Sequence, residues 1–277
     1  MAYGFYPGCA YKTEAVYKES VEAVNQVIGL SMPHIDDWNC CGATSVFSMD
    51  QADALTLTGR IFALAEKQGM DTIVTTCNAC YTTLRKGHKL LKADSSLVDR
   101  INERLSTQGL KIGNPPPVRH LLEVYYHDID ETVWTQKRSG TFKPMKIASY
   151  YGCQFSRPWG DIDDPEQPQM MDRFLARLGY TPVDHSAKTL CCGASHFITY
   201  ENDCLKLNER IMGEIRRKGA EAISAMCPLC QINLDAVQDR LKGPPIPVPY
   251  FTQLAGLALG LSPQVLGMSK LLVPMKV

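Results

Sequence analysis

The chain has 277 residues, enough for a substantial core and for two domains of ordinary size. Its 29 basic and 29 acidic residues cancel, and no long run of one sign is present, which argues against a nucleic-acid footprint or a basic membrane-binding face. Met1-Ala2-Tyr3-Gly4-Phe5-Tyr6 lacks a basic region followed by an apolar one, so a signal peptide is not expected. Eleven cysteines in such a cytoplasmic-looking chain point to metal rather than disulfides.

In chain order, residues 2–7 read as a short strand ending in the Pro7-Gly8 turn that delivers Cys9. A helix from Glu14 to Ile28 stops at Gly29. A second short strand, Met32 to Asp36, leads into Cys40-Cys41-Gly42, and a helix from Asp50 to Gln68 stops at Gly69. The β-branched run Asp71 to Thr76 is a strand whose carboxyl end carries Cys77, and a helix follows from Asn78 to Leu91. Asp99 to Ser106 is helical and polar, Gly113-Asn114-Pro115-Pro116-Pro117 is a break, and Val118 to Val124 follows it. The polar stretch Thr135 to Lys143 is the natural boundary, dividing the chain into modules 1–140 and 141–277.

The second module repeats the first: strand Lys146 to Tyr150, helices Pro168 to Leu178 and Glu201 to Lys218, strand Glu221 to Ala225, and a helix after Cys227. Ile246 to Leu261 is the most apolar late stretch. Pro247, Pro249 and Gln253 interrupt it, so it reads as a buried helix or a contact with a partner rather than a membrane span.

Ten of the eleven cysteines fall into one pattern written twice. The first copy is Cys9, Cys40-Cys41 and Cys77-x-x-Cys80; the second is Cys153, Cys191-Cys192 and Cys227-x-x-Cys230. Between the motifs an offset of 150 residues pairs Gly29 with Gly179, Gly69 with Gly219, and the stripe Leu57, Ile61, Ala65 with Leu207, Ile211, Ile215. The chain is a duplication. Each cysteine group follows a predicted strand, and in open α/β sheets sites form beyond the carboxyl ends of strands.

Five thiolates per copy exceed the four ligands of a zinc ion, whereas iron–sulfur clusters are built on sets of thiolates. Cys-x-x-Cys opening a helix places two sulfurs near its N-terminus, where backbone N–H groups stabilise negative charge. The glycine after each Cys-Cys pair lets the backbone turn tightly. Taken alone, Cys-x-x-Cys is also the mark of a zinc knuckle or a thioredoxin-like pair. Cys204 pairs with Ala54 at the same offset and reads as a buried small hydrophobe.

His196 reads first as structural, with proton donation or a hydrogen bond to a cluster sulfur as the alternative; Thr44-Ser45 stand in its place in the first module. His34, His88, His120, His127 and His185 show no metal-ligand spacing. Arg85, Lys86, Lys89 and Arg157 lie near the cysteines. Each reads as surface charge, or else as a means of offsetting cluster charge or holding an anionic substrate.

Tyr6-Pro7-Gly8-Cys9, Asp37-Trp38-Asn39-Cys40-Cys41-Gly42-Ala43, Cys77-Asn78-Ala79-Cys80-Tyr81, Tyr151-Gly152-Cys153-Gln154, Cys191-Cys192-Gly193-Ala194-Ser195-His196, Cys227-Pro228-Leu229-Cys230-Gln231 and Pro249-Tyr250-Phe251-Thr252-Gln253-Leu254 resemble the B subunits of heterodisulfide reductase. These belong to the cysteine-rich CCG domain family, and the resemblance covers nearly the whole chain. It implies an α/β fold of two tandem pseudo-symmetric CCG modules, each a small sheet flanked by helices with cysteine-bearing loops at one edge.

It further implies two noncubane [4Fe-4S] clusters, held by Cys9, Cys40, Cys41, Cys77 and Cys80 and by Cys153, Cys191, Cys192, Cys227 and Cys230. All ten positions are filled here, whereas some members of the wider family have lost cysteines. The implied activity is that of an oxidoreductase like the CoB-CoM heterodisulfide reductase, cleaving a disulfide between the clusters or running in reverse. Electrons would come from a small iron–sulfur subunit of the C type (HdrC) and a flavin-containing iron–sulfur subunit of the A type (HdrA). The alternative is an electron-transfer iron–sulfur subunit of a larger oxidoreductase without its own substrate site.

Overall fold

The computed structural model describes residues 2–13, 15–43, 45–140, 143–160 and 162–276. Two small parallel sheets organise them. In the first, β1 (Tyr3–Phe5), β2 (Thr72–Thr75) and β3 (Val118–His120) run in the order β1-β2-β3. In the second, β4 (Lys146–Tyr150) lies between β5 (Thr181–Pro182) and β6 (Ala222–Ala225).

The predicted strand at Met32 to Asp36 is reduced to one parallel bridge, Phe5 to His34, because Pro33 offers a carbonyl to Phe5 but no N–H to a ladder. The bridge Ala225 to Tyr250 completes the matching position in the second sheet. Both modules therefore share one strand order. β1 corresponds to β4, the His34 bridge to β5, β2 to β6, and β3 to the Tyr250 bridge. A parallel sheet needs crossover connections, and helices supply them.

Most predicted helices lie within two residues of their expected ends. Gln51–Lys67 starts on Asp50, whose side chain accepts from the Asp53 N–H, and Asn78–Ala93 starts on Cys77. Glu201–Arg217 and Pro228–Ala236 are their counterparts. Glu14, the predicted first helical residue, lies outside the described residues; helices cover Gly8–Thr13 and Ala15–Ile28. The polar helix predicted from Asp99 begins earlier, at Ser95, where Asp94 caps it. The expected boundary stretch begins inside the helix Glu131–Gln136. The late apolar stretch holds the buried helix Phe251–Ala258, which packs on Ala15–Ile28 of the first module.

One stripe is corrected. Leu207 is 38% exposed; the buried face of its helix is Cys204, Asn208, Ile211, Met212 and Ile215. Helix geometry places 204, 208, 211 and 215 on one side, and Leu207 falls outside that arc. In the first module Ile61 and Ala65 are buried and Leu57 is partly so.

The modules share their interior. One apolar cluster contains Ile61, Ala65 and Ile73 together with Ile211, Ile215 and Ile223. Another joins Tyr17, Val21 and Val24 to Phe174, Phe251 and Leu254. Tyr17 stacks on Tyr250 with centroids 3.9 Å apart and planes 8° from parallel. Such an aromatic pair adds about 1 kcal/mol beyond the area it buries.

Candidate metal centre

All strands of a parallel sheet point the same way, so every loop after a strand emerges at one edge. Cys9 follows β1, Cys77 follows β2, Cys153 follows β4 and Cys227 follows β6; each Cys-Cys pair follows the strand or bridge beside β1 or β4. Cys41, Cys77, Cys80, Cys192, Cys227 and Cys230 are buried, Cys153 is partly buried, and Cys9, Cys40 and Cys191 are exposed.

Within the first set the Cys41 and Cys80 sulfurs are 3.5 Å apart, and Cys80 also meets Cys77. Within the second, Cys192 and Cys230 are again 3.5 Å apart, and Cys153 meets Cys191. The sets approach each other: Cys77 and Cys227 lie close enough across the module boundary for each to shift the other's ionisation. All ten predicted ligands thus gather at one edge, while Cys204 stands apart. It is buried and its thiol donates to the Gly193 carbonyl at 3.2 Å, the packing role expected of it.

Crowded thiols cannot all ionise unaided, because a second thiolate beside the first is disfavoured by like charge and burial. Hydrogen bonds from Cys40 and Cys80 hold Cys41 well below the usual thiol range, whereas hydrogen bonds to Cys41 and Cys77, together with burial, push Cys80 well above it. The second set divides likewise. The hydrogen bond from Cys153 brings Cys191 down to about 6, and Cys230 is pushed up, first by its hydrogen bond to Cys192. Backbone N–H groups supply further stabilisation, as where Gly193 donates to the Cys191 sulfur at 3.4 Å.

The residues fit an iron–sulfur cluster on three grounds. The donor set is five soft thiols per module. Ionising all of them requires several nearby positive charges, which a multi-iron group supplies. The backbone before each lone cysteine is also shaped to approach closely. Gly8 and Gly152 have φ of +70° and +72°, and a Cβ there would lie 2.9 Å from the Cys80 sulfur or 3.2 Å from that of Cys230. Among the described residues no three His, Cys, Asp or Glu side chains are arranged round a single ion, so the fit rests on donor chemistry and approach, not on a preformed polyhedron.

Several supporting residues carried no recognised signal in the sequence. The Tyr6 hydroxyl donates to the Asn39 carbonyl at 2.8 Å and that of Tyr150 to the Leu190 carbonyl at 2.6 Å, so each repeated tyrosine fixes the residue before a Cys-Cys pair. The repetition of that tyrosine was the available clue. Asn208 and Asn233 both donate to the Cys192 carbonyl. Lys188, 1% exposed, pairs with Asp172 at 3.3 Å, and its carbonyl accepts from the Tyr151 and Gly152 N–H groups. Trp38 holds its place in the first module, so the offset alone did not reveal Lys188.

The Tyr17 hydroxyl sits between the modules, bonding the Thr76 and Met226 carbonyls at 3.3 and 2.9 Å, one residue before Cys77 and Cys227 respectively. The Asn78 amide donates to the Tyr151 carbonyl at 2.6 Å, a second link.

Beside the sulfurs lies a cleft of about 400 Å³. Cys153, Cys191, Cys192, Cys227 and Cys230 line it from the second module, and Ser45, Ser48 and Asn78 from the first. His196 stands exposed on its wall. Thr44, in the neighbouring loop, lies outside the described residues. Arg85, Lys86, Lys89 and Arg157 are not among the described lining residues. Arg157 pairs with Glu166, and the Lys86 ammonium lies 4.1 Å from the centre of the Phe47 ring.

A helix-flanked parallel sheet, duplicated, with five cysteines at the carboxyl edge of each copy defines a class, and the sequence comparisons agree with it. The model of the cysteine-rich CCG domain matches residues 3–85 and 147–235, and the chain belongs to that family. It is 31% identical to the B subunit of the ferredoxin/F(420)H(2)-dependent CoB-CoM heterodisulfide reductase of Methanosarcina acetivorans, over 96% of this chain and 88% of that protein. It is 29% identical to the 8-methylmenaquinol:fumarate reductase membrane anchor subunit of Wolinella succinogenes, over 96% of this chain and 95% of that one. A hypothetical protein from Helicobacter pylori shares the fold, with a TM-score of 0.75 at 14% identity over 99% of this chain; the match spans only 52% of that protein.

The chain is thus a member of the HdrB-like group of iron–sulfur oxidoreductases, whose relatives are components of larger reductases. Among the described residues no helix is long and apolar enough to cross a membrane.

Proposed function

We propose that this chain is the disulfide-cleaving component of a heterodisulfide-reductase-like complex, with residues 1–140 and 141–277 each holding one noncubane [4Fe-4S] cluster. Cys9, Cys40, Cys41, Cys77 and Cys80 hold the first and Cys153, Cys191, Cys192, Cys227 and Cys230 the second. The observation that carries this reading is that Tyr17 and Asn78 hold the Cys77 and Cys227 loops against each other, bringing the two five-cysteine sets together beside one cleft.

When bound, the clusters supply one-electron transfer at thiolate-ligated iron. The chain does the rest. Tyr17 and Asn78 fix the spacing of the two sets, and the cleft admits an S–S bond to their shared border. In this reading His196, which lines the cleft, would deliver the protons. The reaction balances as one disulfide, two electrons and two protons giving two thiols, with electrons arriving singly from partners of the HdrC and HdrA types. A cytoplasmic complex belongs to this reading.

A second reading draws on the Wolinella relative, a subunit of a fumarate reductase: this chain would pass electrons within such an assembly without a substrate of its own. Anaerobic assay with a reduced viologen and low-molecular-weight disulfides separates the two. Thiol release that disappears in Cys77→Ser and Cys227→Ser supports the first. Viologen oxidation seen only with a partner protein and an acceptor other than a disulfide supports the second.

A further inference from the structure

At the edge opposite the cysteines the second module holds a cavity of about 650 Å³, within the range of small-molecule sites. Met145, Tyr180 and Glu221 line it, the residues immediately before β4, β5 and β6. It therefore lies at the amino edge of that sheet, and no cysteine is among its described lining residues.

The first module has no such opening at the matching place, because side chains close it. The Tyr3 hydroxyl donates to Asp128 at 2.6 Å, just past the helix Leu121–His127, and Asp128 pairs with Arg119. Strand register and helix starts put Ile147, Ala258 and Pro249 in the places of Tyr3, Asp128 and Arg119. Those three residues cannot form that cluster. The helix Phe251–Ala258 ends instead on the cavity, which Leu257 and Leu261 line.

The charges of the lining are unequally engaged. Glu221 accepts from the Lys146 N–H at 2.7 Å, as Asp71 accepts from the Ala2 N–H at 2.8 Å in the first module, a bond that ties neighbouring strands in both copies. Lys143 and Lys276 also line the cavity; both are exposed, and neither forms an ion pair with a described residue. Met145, Leu257 and Leu261 are partly buried and pack on the apolar core. An apolar wall with two ammonium groups suits a molecule with an apolar body and an anionic head. The cavity lies at the carboxyl end of Phe251–Ala258, whose partial negative charge disfavours a dianion such as a phosphate monoester.

We infer that this cavity binds one amphiphilic carboxylate of the fatty-acid type, its chain along Met145, Leu257 and Leu261 and its carboxylate between Lys143 and Lys276. The site is separate from the cysteine edge and independent of the disulfide reading.

The test is calorimetric titration of the intact, anaerobically isolated protein with decanoate, decanol, decyl phosphate and decyltrimethylammonium, each below its aggregation threshold. Decanoate should bind at one per chain and about tenfold tighter than decanol, the scale of two exposed charge contacts. That preference should shrink at high salt, which screens exposed charges. Lys143→Gln combined with Lys276→Gln should bring decanoate to the level of decanol. Both positions are exposed, so iron content and any disulfide turnover should stay those of the parent. Three results overturn the inference: no saturable binding of decanoate, decanoate affinity unchanged in the double variant, or decyl phosphate or the cation binding at least as tightly as decanoate. None of them bears on the disulfide reading, which turnover decides separately.

Discussion

Gly193→Ala should damage the second cysteine set far more than Gly42→Ala damages the first, although the two glycines are equivalent in the repeat. Both have left-handed backbones, φ +81° and +78°, so an alanine costs about 1–2 kcal/mol at either position. Their surroundings differ. At Gly193 a Cβ would lie 2.7 Å from the Cys204 sulfur, 3.1 Å from its Cβ and 3.3 Å from its Cα, and helix backbone cannot recede easily. Overpacking of that kind adds about 1–3 kcal/mol, for a total of about 2–5 kcal/mol.

At Gly42 the Cβ would meet Leu57 Cδ1 at 3.0 Å and Val46 side-chain carbons at 3.2 Å, which have room to shift. Removing the sulfur with Cys204→Ala should restore about 1 kcal/mol to Gly193→Ala, a coupling between neighbours, because the Cβ at 3.1 Å remains. Cys204→Ala alone should keep its iron. Anaerobic melting curves and iron per chain for the four variants provide the assay. If Gly193→Ala melts like the parent, or Gly42→Ala is hit harder, the close approach has been misread.

Cys41→Ser or Cys192→Ser should lose the iron of one module and destabilise that half, since site formation is coupled to folding; unchanged iron and melting in both would contradict it. Tyr17→Phe leaves the Met226 carbonyl without its hydroxyl partner, whereas Thr76 keeps His120, so a loss of about 1–3 kcal/mol is expected by melting, with no change in iron content. Stability should also fall with acid. Burial lowers His120 and His185 from 6.5 to about 4, so each is held neutral when folded but takes a proton when unfolded between those values. That stability is present above 6.5 and lost on the way down. Burial raises Glu123 from 4.5 to about 7, which works in the opposite sense over nearly the same window. The net of one histidine predicts a loss of about 2 kcal/mol from pH 6.5 to 4.5, and a flat urea midpoint across that range would refute it.

The duplication and the sites it serves were legible because each copy checks the other. Cys-Cys-Gly and Cys-x-x-Cys recur in order, and the parallel strands before them force a common edge. Less visible were residues that act through a carbonyl or across the boundary between copies. Tyr17 reaches Met226 209 positions away, and Lys188 has no counterpart of its own type, so neither periodicity nor offset marks them. The stripe through Leu207 failed for a related reason. A matching offset shows that two helices correspond, but which arc is buried depends on what each one packs against, and Cys204 meets the Gly193 loop where Ala54 has a different neighbour. β5 is only two residues long, and its pairing with β4 depends on tertiary placement.

The most direct measurement is iron, zinc and acid-labile sulfide in anaerobically purified protein, with electron paramagnetic resonance before and after thiol addition under oxidising conditions. Two clusters require about eight irons per chain, little zinc, and a new paramagnetic signal when thiol is added. Stoichiometric zinc without sulfide, or iron for one cluster alone in the unmutated chain, would contradict the paired-site chemistry proposed for this cleft.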